Sequence, residues 1–419
     1  MIHASPVVNE STAPPRKTGL ALAVIASVFF MWGFVTVLND ILVPHLKAVF
    51  ELNYTQIMLI QFTFFSAYFL FALPASKIIS HFGYSRSIVL GLVVMACGAL
   101  LFLPAAGLPS YGLFLTALYV LASGMTILQV SANPYVAVLG PPERASSRLN
   151  LVQAMNSLGT TIGPYVGGLL ILSQGGASSA RNASSVELPY LVICGVLLAV
   201  AVAISRFHLP VLQQIEESGS AEKVVDSVWR HRPLILAAIG IFVYVGAEVS
   251  IGSFLVSYLS QPDIGNLPAR VAAGFVSFYW GGAMVGRFAG SALLRKLRTG
   301  PVLGAAAMIA CGLVITSILT TGHIAMWSII LVGLFNSIMF PSIFTLGIAG
   351  LGKLTGKGSG MLVMAIVGGA IIPILEGAVA DRIGLHLAFV LPAVCYLYIV
   401  YYGFRGSQTR EAHGQALSS

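Results

Sequence analysis

The stretch TGLALAVIASVFFMWGFVTVLNDILVPHL, residues 18–46, decides the fold. A helix that crosses a bilayer needs ~20 mostly apolar residues, and this run supplies them before it meets Asn39 and Asp40. A carboxylate at the centre of such a helix is unfavourable by ~2.5–3.5 kcal/mol even on the gentlest scale. Asp40 therefore implies a partner, a wet cavity or a task. The run does not read as a cleavable signal peptide, because it is too long and ends in Asp40, Pro44 and His45 rather than a small-residue cleavage site.

The pattern recurs along the chain. Hydrophobic residues make up 57% and charged residues 9%, with a mean hydropathy of +0.90, whereas a soluble domain carries about 25% charged residues. Twelve spans are predicted, at 18–46, 55–79, 87–104, 111–139, 148–173, 187–206, 233–260, 269–294, 301–319, 324–349, 358–380 and 385–404. The predicted fold is an all-α membrane protein with twelve transmembrane helices in two six-helix halves. Its parts are an N-terminal tail (1–17), a first half (18–206), a charged linker (207–232), a second half (233–405) and a C-terminal tail (406–419). Two equal halves suggest a duplicated transporter with its site between them near the midplane.

Basic residues orient the chain. Seventeen of the 22 Lys and Arg residues lie on or beside the side that holds both termini. Arg287 lies within a span, and Lys47, Arg181, Arg270 and Arg382 lie on the far side. This bias predicts cytoplasmic termini. It also accounts for the net charge of +8 without any nucleic-acid partner. Cys97, Cys194, Cys311 and Cys395 have no CxxC or metal-ligand neighbour and read as apolar packing residues.

Spans 3, 9 and 12 hold no Asp, Glu, Asn, Gln, Lys or Arg, and span 6 holds them only at its ends. Polar groups in hydrocarbon turn toward the bundle interior, so every third helix reads as a lipid-facing prop around a solute pathway. Gln129 and Asn133 share one helix face at i and i+4, and Gln153 and Asn156 share another at i and i+3. With Asn39, Gln61 and Asn336 they make a set of amides, each able to give and take hydrogen bonds. Such a set suits a neutral, hydroxyl-rich solute, with Trp32 and Trp280, flanked by Phe29, Phe30, Tyr244 and Tyr279, as apolar walls. The alternative is that the amides bond helix to helix. Arg287 is expected to tie helix ends together rather than to hold substrate. Glu248 is a candidate for sugar or ion, while Glu376 is expected to pair structurally with Asp381 and Arg382 near an outer gate. Gly159, Gly163 and Gly167 in span 5, and Gly282, Gly286 and Gly290 in span 8, form GxxxGxxxG stripes. These are expected to allow close packing and to provide faces on which the halves rock. Pro134, Pro341 and Pro373 are expected to break helices and free carbonyls.

The stretches FFMWGFVTVLNDILVPHLK (29–47), LQVSANPYVAVLGPPERASSRLNLVQAMNSLGT (128–160) and GAEVSIGSF (246–254) resemble the fucose–proton symporter family of the major facilitator superfamily, and within it the bacterial glucose/galactose transporters. The likeness runs from Leu20 to Arg405. It implies an alternating-access carrier of the bacterial inner membrane, importing glucose or galactose, with N-acetylglucosamine or fucose as alternative cargo. A non-transporting sugar sensor is a remoter alternative, disfavoured by the short tails. The resemblance also implies that Asp40 is linked to the coupling proton. The family's fucose members place a glutamate where this chain has Gln129, so the coupling scheme does not transfer whole. Glu248 is the candidate to compensate, and Na⁺ stands as an alternative to H⁺. The loop SHFGYSRS (80–87) lacks the usual acidic residue. No cofactor is expected, and the working unit is expected to be a monomer in lipid. No HExxH motif or sizeable soluble loop suggests an enzyme. Asp40→Asn is expected to abolish concentrative uptake in vesicles while labelled-sugar exchange remains measurable; full accumulation by that variant would remove Asp40 from the coupling role.

Overall fold

The computed structural model describes residues 15–50, 54–107, 110–172, 187–207 and 227–407, with side chains for 18–37, 59–105, 110–163, 190–207 and 227–407. All secondary structure among the described residues is helical. The first half contains α1 (Pro15–Phe50), α2 (Tyr54–Gly107), α3 (Tyr111–Val138), α4 (Ala145–Leu172) and α5 (Glu187–Arg206). The second contains α6 (Arg232–Leu259), α7 (Ala269–Leu293), α8 (Thr299–Leu319), α9 (Gly322–Asn336), α10 (Met339–Ile348), α11 (Thr355–Met364), α12 (Gly368–Ile383), α13 (Leu385–Ala388) and α14 (Val390–Tyr401).

These elements make twelve spans. The apolar part of α2, Leu59–Ala105, runs for 47 residues. At 1.5 Å per residue that is ~70 Å, more than twice the ~30 Å hydrocarbon core. The backbone of α2 leaves helical geometry at Gly83 (φ 76°, ψ 172°), where the chain passes from predicted span 2 to span 3. A positive φ of this kind favours glycine, which has no Cβ to clash. Spans 10, 11 and 12 are each built from two helices: α9 and α10, α11 and α12, α13 and α14. Eight stretches of the described residues, one of them double length, are long and apolar enough to cross a bilayer. Of the other three spans, α5 is apolar but short, while α4 and α7 are rich in Gly and Ser and pack on each other across the two halves.

The outer faces of α5, α8 and α14 expose large apolar side chains such as Leu191, Val202, Met308, Leu319, Val394 and Leu397. That exposure suits contact with lipid. Cys194, Cys311 and Cys395 are buried, but Cys97 is exposed rather than packed inside, because it lies on the outward face of its span.

Among the described side chains the glycine stripes serve close packing, as expected; Gly167 lies outside that set. A Cβ on Gly159 or Gly163 would run into Phe30, Phe34 and Val37 of α1, and a Cβ on Gly33 of α1 would strike the Asn156 backbone. Gly286 and Gly282 instead meet Leu334 of α9, and Gly290 meets Ile338 beyond it. Each stripe thus seats one helix mainly against a neighbour in its own half, with Gly290 also facing Asn150 of α4 in the other. Gly159→Ala is expected to overpack the α1–α4 contact at a cost of ~1–3 kcal/mol, lowering the thermal midpoint in detergent by several degrees. Gly281→Ala, with open space around its Cβ, is expected to leave the midpoint unchanged or raise it; equal effects from the two would refute the backbone contact.

Candidate substrate and coupling site

In the first half, α3 carries Gln129 and Asn133 on one buried face. The Gln129 Nε2 donates to the Tyr68 hydroxyl of α2 at 2.9 Å, and the Trp32 indole of α1 also reaches that hydroxyl. Trp32 packs edge-on to Phe29, with ring centroids 5.4 Å apart. One turn along α3, Asn133 Oδ1 accepts a long hydrogen bond of 3.5 Å from Gln153 Nε2 on α4. The Asn133 Nδ2 is buried with no partner. A buried donor left unmet costs ~1–3 kcal/mol, so this amide has capacity to spare for a ligand.

The second half holds a matching cluster. Glu248 on α6 accepts a hydrogen bond of 2.7 Å from the Tyr244 hydroxyl, one turn earlier on the same helix. Tyr279 of α7 reaches the Glu248 carbonyl at 3.4 Å and accepts from Asn336 Nδ2 at 2.8 Å. Asn336 Oδ1 is buried without a well-aligned hydrogen bond, with the Tyr396 side chain in reach of the same amide. Trp280 stands edge-on to Tyr279, with centroids 5.1 Å apart, and over Gly252, one turn beyond Glu248. Its neighbour Phe278 joins Trp327 on the outer face. Two residues along a helix turn the side chain by ~200°, so the half-exposed Trp280 points the opposite way from Phe278. Tyr244 and Tyr279 are thus hydrogen-bonding members of the cluster rather than plain apolar walls.

Between the clusters runs a seam of hydrogen bonds. Ser147 Oγ of α4 donates to the Ser291 carbonyl of α7 at 2.7 Å, and Ser291 Oγ returns a bond of 3.0 Å to the Ser147 carbonyl. Ser146 meets Thr345 of α10. Further along, Arg287 of α7 donates to the Ser157 hydroxyl and the Gln153 carbonyl of α4, and to the Ser337 carbonyl. Arg287 is near enough to act on the charge of Glu248 but forms no ion pair with it among the described residues.

Two prolines explain part of this seam. Proline lacks an N–H and frees the carbonyl four residues earlier. Pro134 frees Val130, and the Ser359 hydroxyl of α11, from the other half, donates to that carbonyl at 2.8 Å. Pro341 frees Ser337, whose carbonyl takes the Arg287 Nε at 3.3 Å. With its lost bond replaced, α3 stays continuous through Pro134, contrary to the expected break. The actual breaks fall at Ser337–Ile338, a turn before Pro341, and at Ala365–Val367, ahead of Pro373.

Other candidates lie elsewhere. Asn156 Nδ2 donates to the Phe29 carbonyl at 3.0 Å and ties α4 to α1. Gln61 is exposed near the start of α2. The side chains of Asn39 and Asp40 fall outside the described residues. Glu376 is fully buried with neither carboxyl oxygen hydrogen-bonded, while Asp381 and Arg382 are exposed. The expected pairing of these three is therefore absent among the described residues. Tyr68, Ser157 and Ser337 were missed from sequence, although Ser157 shares the helix face of Gln153 at i+4. Two surface grooves, one beside Leu22, Arg144 and Arg295 and one between Phe278, Val285 and Trp327, do not touch these clusters.

Residues 20–366 match the family model of the Major Facilitator Superfamily. The glucose/galactose transporter of Brucella abortus is 53% identical over 402 residues, covering 96% of this chain and 97% of its own. The L-fucose–proton symporter of Escherichia coli is 35% identical over 427 residues, covering 96% of both chains. The crystal structure of a fucose transporter of the superfamily, in the outward conformation, aligns with a TM-score of 0.85 at 34% identity, over 93% of this chain and 99% of that one. Its fold, its paired polar clusters and this likeness along nearly its whole length agree: the chain belongs to the major facilitator superfamily.

Proposed function

We propose that this chain is a sugar–proton symporter that imports a hexose, glucose or galactose, across the bacterial inner membrane by alternating access. The observation that carries the reading is the pair of buried amide groups without a well-aligned hydrogen bond, Asn133 Nδ2 and Asn336 Oδ1, one in each half and on opposite sides of the seam. A sugar hydroxyl donates and accepts at once, and so satisfies both kinds of group. The names of the relatives support the same cargo and the same ion.

In this reading Gln129, Asn133, Gln153 and Asn336 hold hydroxyls, and Trp32 or Trp280 packs on the sugar ring. Asn156 shapes the site by fixing α1 to α4, while Gln61, exposed near the start of α2, lines the approach. Asp40 carries the coupling proton and Glu248 answers it from the second half, since Gln129 cannot hold a charge. The basic residues favour cytoplasmic termini, which makes the seam at Ser147 and Ser291 a closed inner gate and the described state outward-facing. One chain contains both clusters, which supports a monomer as the transporting unit.

Purified protein in liposomes tests the reading. An inward proton gradient is expected to drive accumulation of labelled glucose, with galactose as a strong competitor and N-acetylglucosamine and fucose as weak ones. Accumulation driven by a sodium gradient alone would replace the ion. Binding without flux would favour a sensor.

A further inference from the structure

We propose that Glu376 is a further proton-binding site of the carrier, enclosed within the second half behind Glu248 rather than in the seam between the halves. The inference rests on the proton-coupled reading above. It starts from the environment of the carboxyl. Glu376 is 0% exposed, and both of its oxygens lack a hydrogen-bond partner. The hydroxyl of Ser250 of α6, itself fully buried, is within reach of the carboxyl but not in good hydrogen-bond geometry.

Around it, α6 carries Tyr244 and Glu248, α14 carries Cys395 and Tyr396, and α13 carries His386. From α2, Phe65 touches the start of α12 at Gly369, and Tyr68 is the titratable group one turn on. Of these, Cys395 is near enough to feel a charge on Glu376. Tyr244 is committed to Glu248, Tyr68 to Gln129, and His386 to Asp263 and the Ser317 carbonyl. The basic residue of α12 itself, Arg382, is exposed. No cation among the described residues faces the carboxyl.

A carboxylate enclosed in a low-dielectric interior with no cation beside it and one hydroxyl, Ser250, within reach is strongly unfavourable, whereas the neutral acid is tolerated. The observed oxygens, two from Glu376 and one from Ser250, are too few to replace the shell of a metal ion, so the fitting ligand is a proton. The position also allows release. Glu376 lies on the outer arm of a broken span, beyond the turn Ala365–Val367 and one turn after Pro373. Ser250 is two residues past Glu248, and Gly368 meets the Phe242 backbone of α6 directly. α12 packs on the stripe of α6 that carries Phe242, Gly246 and Ser250, and a bend of α12 away from that stripe lets water reach the carboxyl. The acid O–H bond then breaks, the proton passes to that water and a hydrated carboxylate remains; closure takes a proton back.

Infrared difference spectra of the purified carrier against Glu376→Gln test the assignment. A carboxylic-acid carbonyl band is expected in the wild type and not in the variant, shrinking as pH is raised with glucose present. In liposomes, Glu376→Gln is expected to lose at least tenfold in proton-driven accumulation while equilibrium exchange of labelled glucose continues. A variant that accumulates like wild type, or an acid band indifferent to pH and sugar, overturns the proposal. If the variant does not fold, the wild-type band alone decides through its response to pH with sugar. A wild type that ignores a proton gradient would sink the symport reading, and the infrared arm would still decide whether Glu376 exchanges its proton.

Discussion

Hydrocarbon offers no hydrogen bonds, so every polar group placed inside it must find its partner within the protein. The rest of the structure depends on that constraint. Pro134 and Pro341 free carbonyls that lipid cannot satisfy, and the chain answers with Ser359 and Arg287. In the first case the donor comes from the other half, so a local backbone defect becomes a contact across the seam. Ser147 and Ser291 close the same seam by exchanging hydroxyl–carbonyl bonds. Each neutral hydrogen bond contributes only ~0.5–1.5 kcal/mol net. The Ser147–Ser291 part of the seam, made of such bonds, holds one state without locking it, as alternating access requires.

The two halves meet this constraint differently. The first half presents neutral amides, with Gln129 bonded to Tyr68 and Gln153 to Asn133. The second carries the described carboxylates of the core, Glu248 with its tyrosine partner and Glu376 with none. Arg287 lies between them and spends its donors on neutral oxygens of both halves. The neutral amides and the carboxylates thus lie in different halves on either side of the seam.

Much of this was legible in the sequence. Apolar runs of spanning length gave the twelve helices, and the polar-free spans gave the outer props, because burial and hydropathy act through composition. Gln129, Asn133, Gln153 and Asn336 stood out because amides are costly in such helices. What the sequence did not reveal was partners. A stripe such as Gly159–Gly163 shows that a backbone comes close but not whose, and here it is α1. Glu376 was expected beside Arg382 because the two are near in sequence. Helical geometry turns the glutamate inward toward Ser250 and leaves the arginine exposed. Pro134 signalled a break, yet a hydroxyl distant in the chain repaired it.

In the proposed cycle the seam must open to move the sugar, and a cysteine pair across it offers the most direct measurement. Ser147 Oγ and Ser291 Oγ are 3.5 Å apart, a separation from which a disulfide forms with little movement. In a Ser147→Cys/Ser291→Cys carrier, oxidation is expected to stop uptake while sugar still binds from the opposite face, and reduction is expected to restore transport. Uptake at the full rate with the disulfide intact would contradict the account.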